Sequence, residues 1–252
     1  LAISRDEDKF HIELLRGSAS MLFGRGSTGG AVNQVNKVPR LVDEKNVSMT
    51  LGNHNYVRVV GDLNAKTGED SAFRISVMGT KADNNGSGSS IDKSGVAAAY
   101  RWGIGERDEF QVGLYHINNE NGVNYGIPWL SQRRAGATAA AAELAATTVV
   151  PVDPGRYYGA SSDYSHGSAT YTTFSHTHRF DADTDLKTVI RPGHFNRDQR
   201  ASAIRFAGTT GSPANASAIF IDNISDATVL TRGTNNKIQE HDTQYAQNDV
   251  NK

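Results

Sequence analysis

From Asn46 onward the chain alternates apolar and polar residues with a period of two, and that periodicity confines it to strands. Val47, Met49 and Leu51 share one face against Ser48 and Thr50, and Gly52-Asn53-His54-Asn55 reads as a tight turn. Val57, Val59 and Leu63 repeat the pattern against Tyr56, Arg58 and Asp62. Phe73, Ile75 and Val77 do so against Arg74, Ser76 and Met78. Further strands are predicted over 96–104, 110–117, 168–180 and 186–195, with another starting near Thr228.

The connections sort by length. Polar turns at Asn64–Asp70, Gly105–Asp108 and Asp181–Asp185 are short, while 84–90, 119–165 and 197–226 are longer. That alternation is expected of an all-β membrane protein, an antiparallel barrel with short turns at one rim and long loops at the other. A soluble β-sandwich binding module also gives short alternating strands, but it needs neither lopsided loops nor strands beyond about six residues. No run approaches the ~20 apolar residues of a spanning helix, which a barrel does not require. The absence of cysteine excludes disulfides and thiolate metal sites, and a net charge of −1 leaves no nucleic-acid footprint. Leu1 is not a start residue, no signal sequence precedes it, and Tyr245 to Lys252 end in polar sequence. The expectation is an internal piece of a longer, exported protein.

A second feature precedes the strands, in HIELLRGSASMLFGRGSTGGAVNQVNKVP from His11 to Pro39. Gly24, Gly26 and Gly29 fit G-x-G-x-x-G. A phosphate site would need a strand before the glycines and a helix after them. Here the order is reversed. A helical turn capped by Ser18 or Ser20 leads into the glycines, and the strand-like Ala31–Lys37 follows until Pro39 ends it. The glycines read better as turn formers.

The stretch Ile12–Gly17, then Ser20–Gly30, then Val32–Pro39, resembles the end of the plug domain of TonB-dependent siderophore receptors, whose usual form is close to LRGPxSxLFGRGSxGGxxNxxxKxP. Ser18 stands where that family mostly has proline. The resemblance implies a plugged outer-membrane β-barrel of the ~22-stranded transporter type. Residues 1–40 would be the end of the plug, and 41–252 the first part of the transmembrane barrel. It implies uptake of a ferric siderophore across the bacterial outer membrane, among outer-membrane lipid, driven through the TonB–ExbB–ExbD complex, whose contact segment would precede Leu1. A related receptor for cobalamin or an oligosaccharide is the alternative within transport. Arg16, Gly17, Gly24, Arg25, Gly26, Gly29 and Gly30 carry the plug motif. In that family plug arginines such as Arg16 and Arg25 pair with barrel glutamates, as a buried guanidinium requires.

Chemistry is sparse. Ser20 and Ser27 lack a histidine or acid in a nucleophile-elbow context, so no catalytic set and no enzyme is expected. His176 and His178 share one strand face and could ligate a metal, but near a short turn they read as interfacial or lumen residues, and no metal site is assigned. Asp181, Asp183 and Asp185 lack the glycine and bidentate Glu of a calcium loop and read as turn residues. The long segment after the fifth strand gathers Tyr125, Trp129, Tyr157, Tyr158 and Tyr164 with Arg133, Arg134 and Arg156. Rings and guanidinium groups suit a bulky anionic chelate, while an aromatic girdle would explain Tyr157 and Tyr158 equally well. Within the same segment the Ala-rich 134–146 has helical propensity.

Overall fold

A computed structural model describes residues 11–16, 29–83, 89–124, 126–127, 129–131, 147–150, 152–153, 155–206, 224–225 and 228–252. Two short strands, β1 (His11–Arg16) and β2 (Gly30–Val35), pair antiparallel, with Arg16 opposite Gly30. They frame the glycine-rich stretch. Gly17, Gly24, Arg25, Gly26 and the expected helical turn lie outside the described residues, as does the Ala-rich 134–146.

The main body is an eight-stranded antiparallel sheet. In chain order it comprises β3 (Glu44–Gly52), β4 (Tyr56–Lys66), β5 (Ala72–Asp83), β6 (Ser90–Trp102), β7 (Asp108–Asn121), β10 (Tyr164–Arg179), β11 (Asp185–Phe206) and β12 (Leu230–Asn251). Each strand pairs with the next of these in sequence. Between β7 and β10 lies a small hairpin, β8 (Trp129–Ser131) with β9 (Thr147–Val149). Strand length rises steadily across the sheet, from nine residues in β3 to 16 in β10 and 22 in β11 and β12.

The turns fall where alternation of loop length puts them. The Ile104 amide donates to the Asp70 carbonyl (2.9 Å) and that of Arg179 to Arg107 (2.8 Å), so the three short turns abut along one rim. At the opposite rim Asp83 meets His54 (2.8 Å) and Gly122 meets Ser90 (3.0 Å). His54 and Asn55 both have positive φ (59° and 56°), and Tyr56 N donates to Asn53 O (3.3 Å), which makes the first hairpin a type I′ turn. Gly103 turns the chain after β6 with φ +66°; a Cβ there would lie 2.2 Å from the Asp108 carbonyl oxygen, so no other residue fits.

Several predicted boundaries are corrected. β6 begins at Ser90 rather than at residue 96 and stops at Trp102, before Gly103. β11 continues to Phe206 rather than ending near Phe195. The added portions carry little hydrophobic alternation: Asn118–Asn121 is polar on both faces and Ser90–Lys93 holds the single apolar Ile91, so the strand persists where its periodic signal has stopped. Pro192 and Gly193 stand inside β11. The ladder to β10 is interrupted between the pairs Tyr171–Gly193 and Phe174–Ile190, where proline has no N–H to donate, but the register is the same on both sides. Asn64, expected in a turn, lies on β4.

The two faces differ in chemistry. One carries Val47, Met49, Leu51, Val57, Val59, Val77, Leu114, Phe174 and Ile190, all exposed. Along its short-turn rim Tyr100, Trp102, Phe110 and His176 stack in succession, with centroids 5.8, 5.4 and 4.4 Å apart. The other face is polar and holds the buried Asn64, Arg74, Thr80 and Glu109.

Candidate functional site

The polar face is organised around the segment that joins β2 to β3, residues 36–43, which crosses it. Asp62 on β4 is the hub. Arg74 from β5 grips it through Nε (3.0 Å to Oδ1) and Nη2 (2.7 Å to Oδ2), Ser76 Oγ donates to Oδ1 (2.7 Å), and the Lys37 ammonium completes the cluster from the crossing segment. Period two places Asp62, Arg74 and Ser76 on the same face of paired strands, where Asp62 opposes Ser76 and Asn64 opposes Arg74. Asp62 and Arg74 side chains are 7% and 4% exposed, a depth at which each charge requires the other.

The segment's backbone is read one group at a time. Arg74 Nη1 donates to the Val38 carbonyl (3.3 Å) and Arg101 Nη1 to that of Pro39 (3.4 Å). The Asn64 amide accepts from Arg40 N (3.0 Å) and donates to the carbonyls of Arg40 (2.7 Å) and Val42 (2.5 Å). A carboxamide is the side chain that can do both. Asp43 Oδ1 accepts from Lys66 N (2.8 Å). Beyond them Glu109 on β7 lies between Arg101 on β6 (Nε, 2.7 Å) and Arg179 on β10 (Nη2, 2.9 Å), tying three strands together. Glu109 is thus paired within the sheet itself, and the cation that the segment before β3 brings to Asp62 is Lys37. The side chain of Arg16, and all of Arg25, lie outside the described residues.

Further along this face Tyr115 stacks on Tyr171 (4.7 Å), the Arg191 guanidinium lies 5.1 Å over the Tyr171 ring, and Asn36 Nδ2 donates to the Tyr171 hydroxyl (3.2 Å). Sequence reasoning sought ring and guanidinium together in the long loop and missed them here. They share a face by parity, but only the strand register brings Tyr115 opposite Tyr171.

At the long-loop rim the candidates separate. Tyr157 is half-buried, its hydroxyl 3.0 Å from both the Ala160 carbonyl and Asp163 Oδ2; burial and the neighbouring carboxylate push its pKa up to about 12. Asp163 also accepts from Ala160 N (3.1 Å), Ser202 N (3.0 Å) and Ser202 Oγ (2.8 Å). Burial raises its pKa, but these donors outweigh that and hold it below the ordinary carboxylate value. The Tyr158 hydroxyl reaches the Asp153 carbonyl (3.3 Å), and its own carbonyl accepts from Arg232 Nε (2.8 Å). Arg156 is exposed, 3.7 Å from Asp153. Tyr164 begins β10 with its hydroxyl 3.1 Å from Asp198, on the face opposite Tyr171. Trp129 is placed on β8 by its backbone alone, and Tyr125, Arg133 and Arg134 lie outside the described residues. Val150, buried against Ile127, Val152 and Ile224, packs this loop onto the approach to β12.

The histidine pair has a partner that the sequence did not disclose. His176 Nε2 and His178 Nδ1 lie 2.9 and 2.6 Å from the same oxygen of Asp108, on the apolar face beside the short turns.

No helix among the described residues is long and apolar enough to cross a membrane. No family model matches the chain. It is 26% identical over 206 residues, 81% of its length, to the catecholate siderophore receptor Fiu of Escherichia coli K12, of which it covers 27%. It is 29% identical over 150 residues to the probable TonB-dependent siderophore receptor PiuA of Acinetobacter baumannii, covering 59% of this chain and 19% of that one. The ferrioxamine B receptor of Salmonella typhimurium is 25% identical over 90% of this chain and 32% of its own. The fold superposes on the crystal structure of Fiu, closed form, with a TM-score of 0.79 over 98% of this chain and 34% of that one, at 22% identity. For the structure of PiuA the score is 0.76 over 95% and 31%, at 21% identity. The chain therefore spans about a third or less of the relatives it matches; Fiu and PiuA are named as siderophore receptors, PiuA as a probable TonB-dependent one, in keeping with the family that residues 11–39 resemble.

Proposed function

We propose that this chain is a section of an outer-membrane, TonB-dependent receptor that takes up ferric siderophores. Residues 1–40 form the end of its plug and 41–252 the first part of a ~22-stranded wall. One observation carries the reading: a segment leaving the N-terminal hairpin is bound across the polar face by Asp62, Asn64, Arg74 and Arg101, while the opposite face shows exposed Val, Leu, Met and Phe. A sheet whose polar side holds an inserted domain and whose apolar side is bare is what a plugged barrel in lipid needs. The names of the relatives supply the cargo class. The work is binding and gating, with energy delivered by TonB, ExbB and ExbD from the periplasm. Tyr125, Trp129, Arg133, Arg156, Tyr157 and Tyr158 on the long outer loop meet the chelate. Of these, Arg156 is free to turn toward it, and Tyr157 shapes the loop through Asp163.

The test is uptake of a ferric catecholate by the full-length receptor in cells lacking their own siderophore receptors, with and without TonB. Growth on the chelate that requires TonB is expected. TonB-dependent uptake of cobalamin or an oligosaccharide instead, with no response to ferric chelates, would overturn the cargo and keep the transporter. A receptor that stays soluble and monodisperse without detergent would overturn the barrel.

A further inference from the structure

Asp108, His176 and His178 offer one carboxylate oxygen and two imidazole nitrogens, all within 4.8 Å of one another. We propose that they form a binding site for a divalent first-row transition-metal ion of the zinc type, on the outward, apolar face at the short-turn rim. The site is separate from the path of any transported iron, which the polar face would line.

The strands build it. His176 and His178 are two residues apart on β10 and so project from the same face, and Asp108 on β7 lies directly opposite His178 in the ladder. The two nitrogens aimed at Asp108 come from different ring positions, Nε2 of His176 and Nδ1 of His178, and both converge on Oδ1. An ion between them would replace the ring protons that now face the carboxylate. The separations of 2.6 and 2.9 Å need to open to about 3.3–3.5 Å, by roughly 0.5–0.8 Å, to suit ligand bonds of about 2.0–2.2 Å in a tetrahedral arrangement, a shift within reach of side-chain rotation.

Packing fixes the rings in advance. Phe110 lies parallel to His176 (4.4 Å, 5°), and Phe180 meets His178 edge-on (4.8 Å, 75°). Rings held in this way lose little freedom on coordination, which favours binding. The side chains of His176, His178 and Asp108 are 41%, 24% and 44% exposed, so an ion reaches them from water and keeps an open position. Two imidazoles and a carboxylate suit zinc, cobalt or nickel better than calcium or magnesium. A bound ion would also neutralise the carboxylate and clamp β7 to β10 where the stacked aromatic row ends.

The experiment uses the full-length receptor in detergent, stripped with chelator. Co2+ is titrated by its visible absorption, and Zn2+ by competition. One equivalent of high-affinity metal is expected. His176→Ala and His178→Ala should each weaken it at least about tenfold, the loss that even an outer partner of a ligand typically causes. Asp108→Asn should also weaken binding, and far-UV circular dichroism should show each variant's sheet to be intact. His54→Ala, at the opposite rim, should leave affinity unchanged. No stoichiometric binding, affinity unchanged from the parent in the His176→Ala and His178→Ala variants, or a comparable loss in His54→Ala would each overturn the site. If a histidine variant loses its sheet signal, Asp108→Asn alone decides.

Discussion

On one face of the sheet Val47, Met49, Val77, Phe174 and Ile190 are 50–78% exposed; on the other, Asn64, Arg74 and Glu109 are 1–8% exposed. In a protein folded for water those values would be exchanged. The difference fits the proposed barrel, in which the two faces would meet different surroundings, hydrocarbon outside and a packed, hydrogen-bonded partner inside. It also shows where stability is held. On that reading the apolar face would gain stability only when lipid covers it, whereas the polar face is held by directed bonds that fail singly.

The largest test of that contrast is Asp62→Ala in the full-length receptor, which leaves the Arg74 and Lys37 charges without their carboxylate. It should cost about 3–5 kcal/mol in denaturant unfolding. A loss below about 1 kcal/mol would mean that water screens the cluster and the inner face is not a sealed contact.

Next is Val77→Arg on the apolar face, set against Met78→Arg beside it. In lipid vesicles the first should destabilise by about 2–4 kcal/mol and the second by less than half as much. Equal penalties would show that the faces see the same medium.

Asn64→Ala should cost about 1–3 kcal/mol, since the Arg40 amide and the carbonyls of Arg40 and Val42 lose their buried partner. Hydrogen exchange at the Arg40 amide should rise markedly while exchange in β7 and β10 stays slow. If exchange rises everywhere, the residue supports the wall rather than the crossing segment.

The smallest effect concerns the loop. The pKa of Asp163 is lower in the folded loop than in an unfolded chain, so its contribution is complete above the unfolded value near 3.8 and fades as pH falls through the folded one. Exchange at Ala160 and Ser202 should therefore be slow at pH 7 and quicken only below about pH 4. Quickening near pH 6 would point to another group.

The faces and the short turns were legible because periodicity and turn chemistry are local. Val57, Val59 and Leu63 had to share a side whatever their partners were. Strand ends were not legible beyond the apolar run: Asn118–Asn121 is polar on both faces and Ser90–Lys93 offers only Ile91, too little for alternation to carry a signal. Asn64 was misread for a related reason. Asparagine forms turns by bonding to nearby backbone, and here the same carboxamide bonds to backbone 22 and 24 residues away. The approach of Asp108 to His176 and His178, 68 and 70 residues distant, required the register of β7 on β10. So did the Tyr115–Tyr171–Arg191 set.

The steady lengthening of strands from β3 to β12 bears on self-association. Nine residues of β3 rise about 30 Å and the 22 of β12 about 75 Å, so the crown is tall on one side. A tall wall built abruptly would bare a long run of unpaired amides, a template on which a second chain can add strands. Here the height is gained by one or two residues per strand as far as β10, and then by six. β11 outlasts β10 by only Ala201–Phe206, and β12 covers that portion completely on its other side. On its β10 side the ledge does not stand bare at its base, where the Ser202 amide already donates to Asp163 Oδ2 (3.0 Å), so the loop before β10 occupies a donor that a foreign strand would otherwise take.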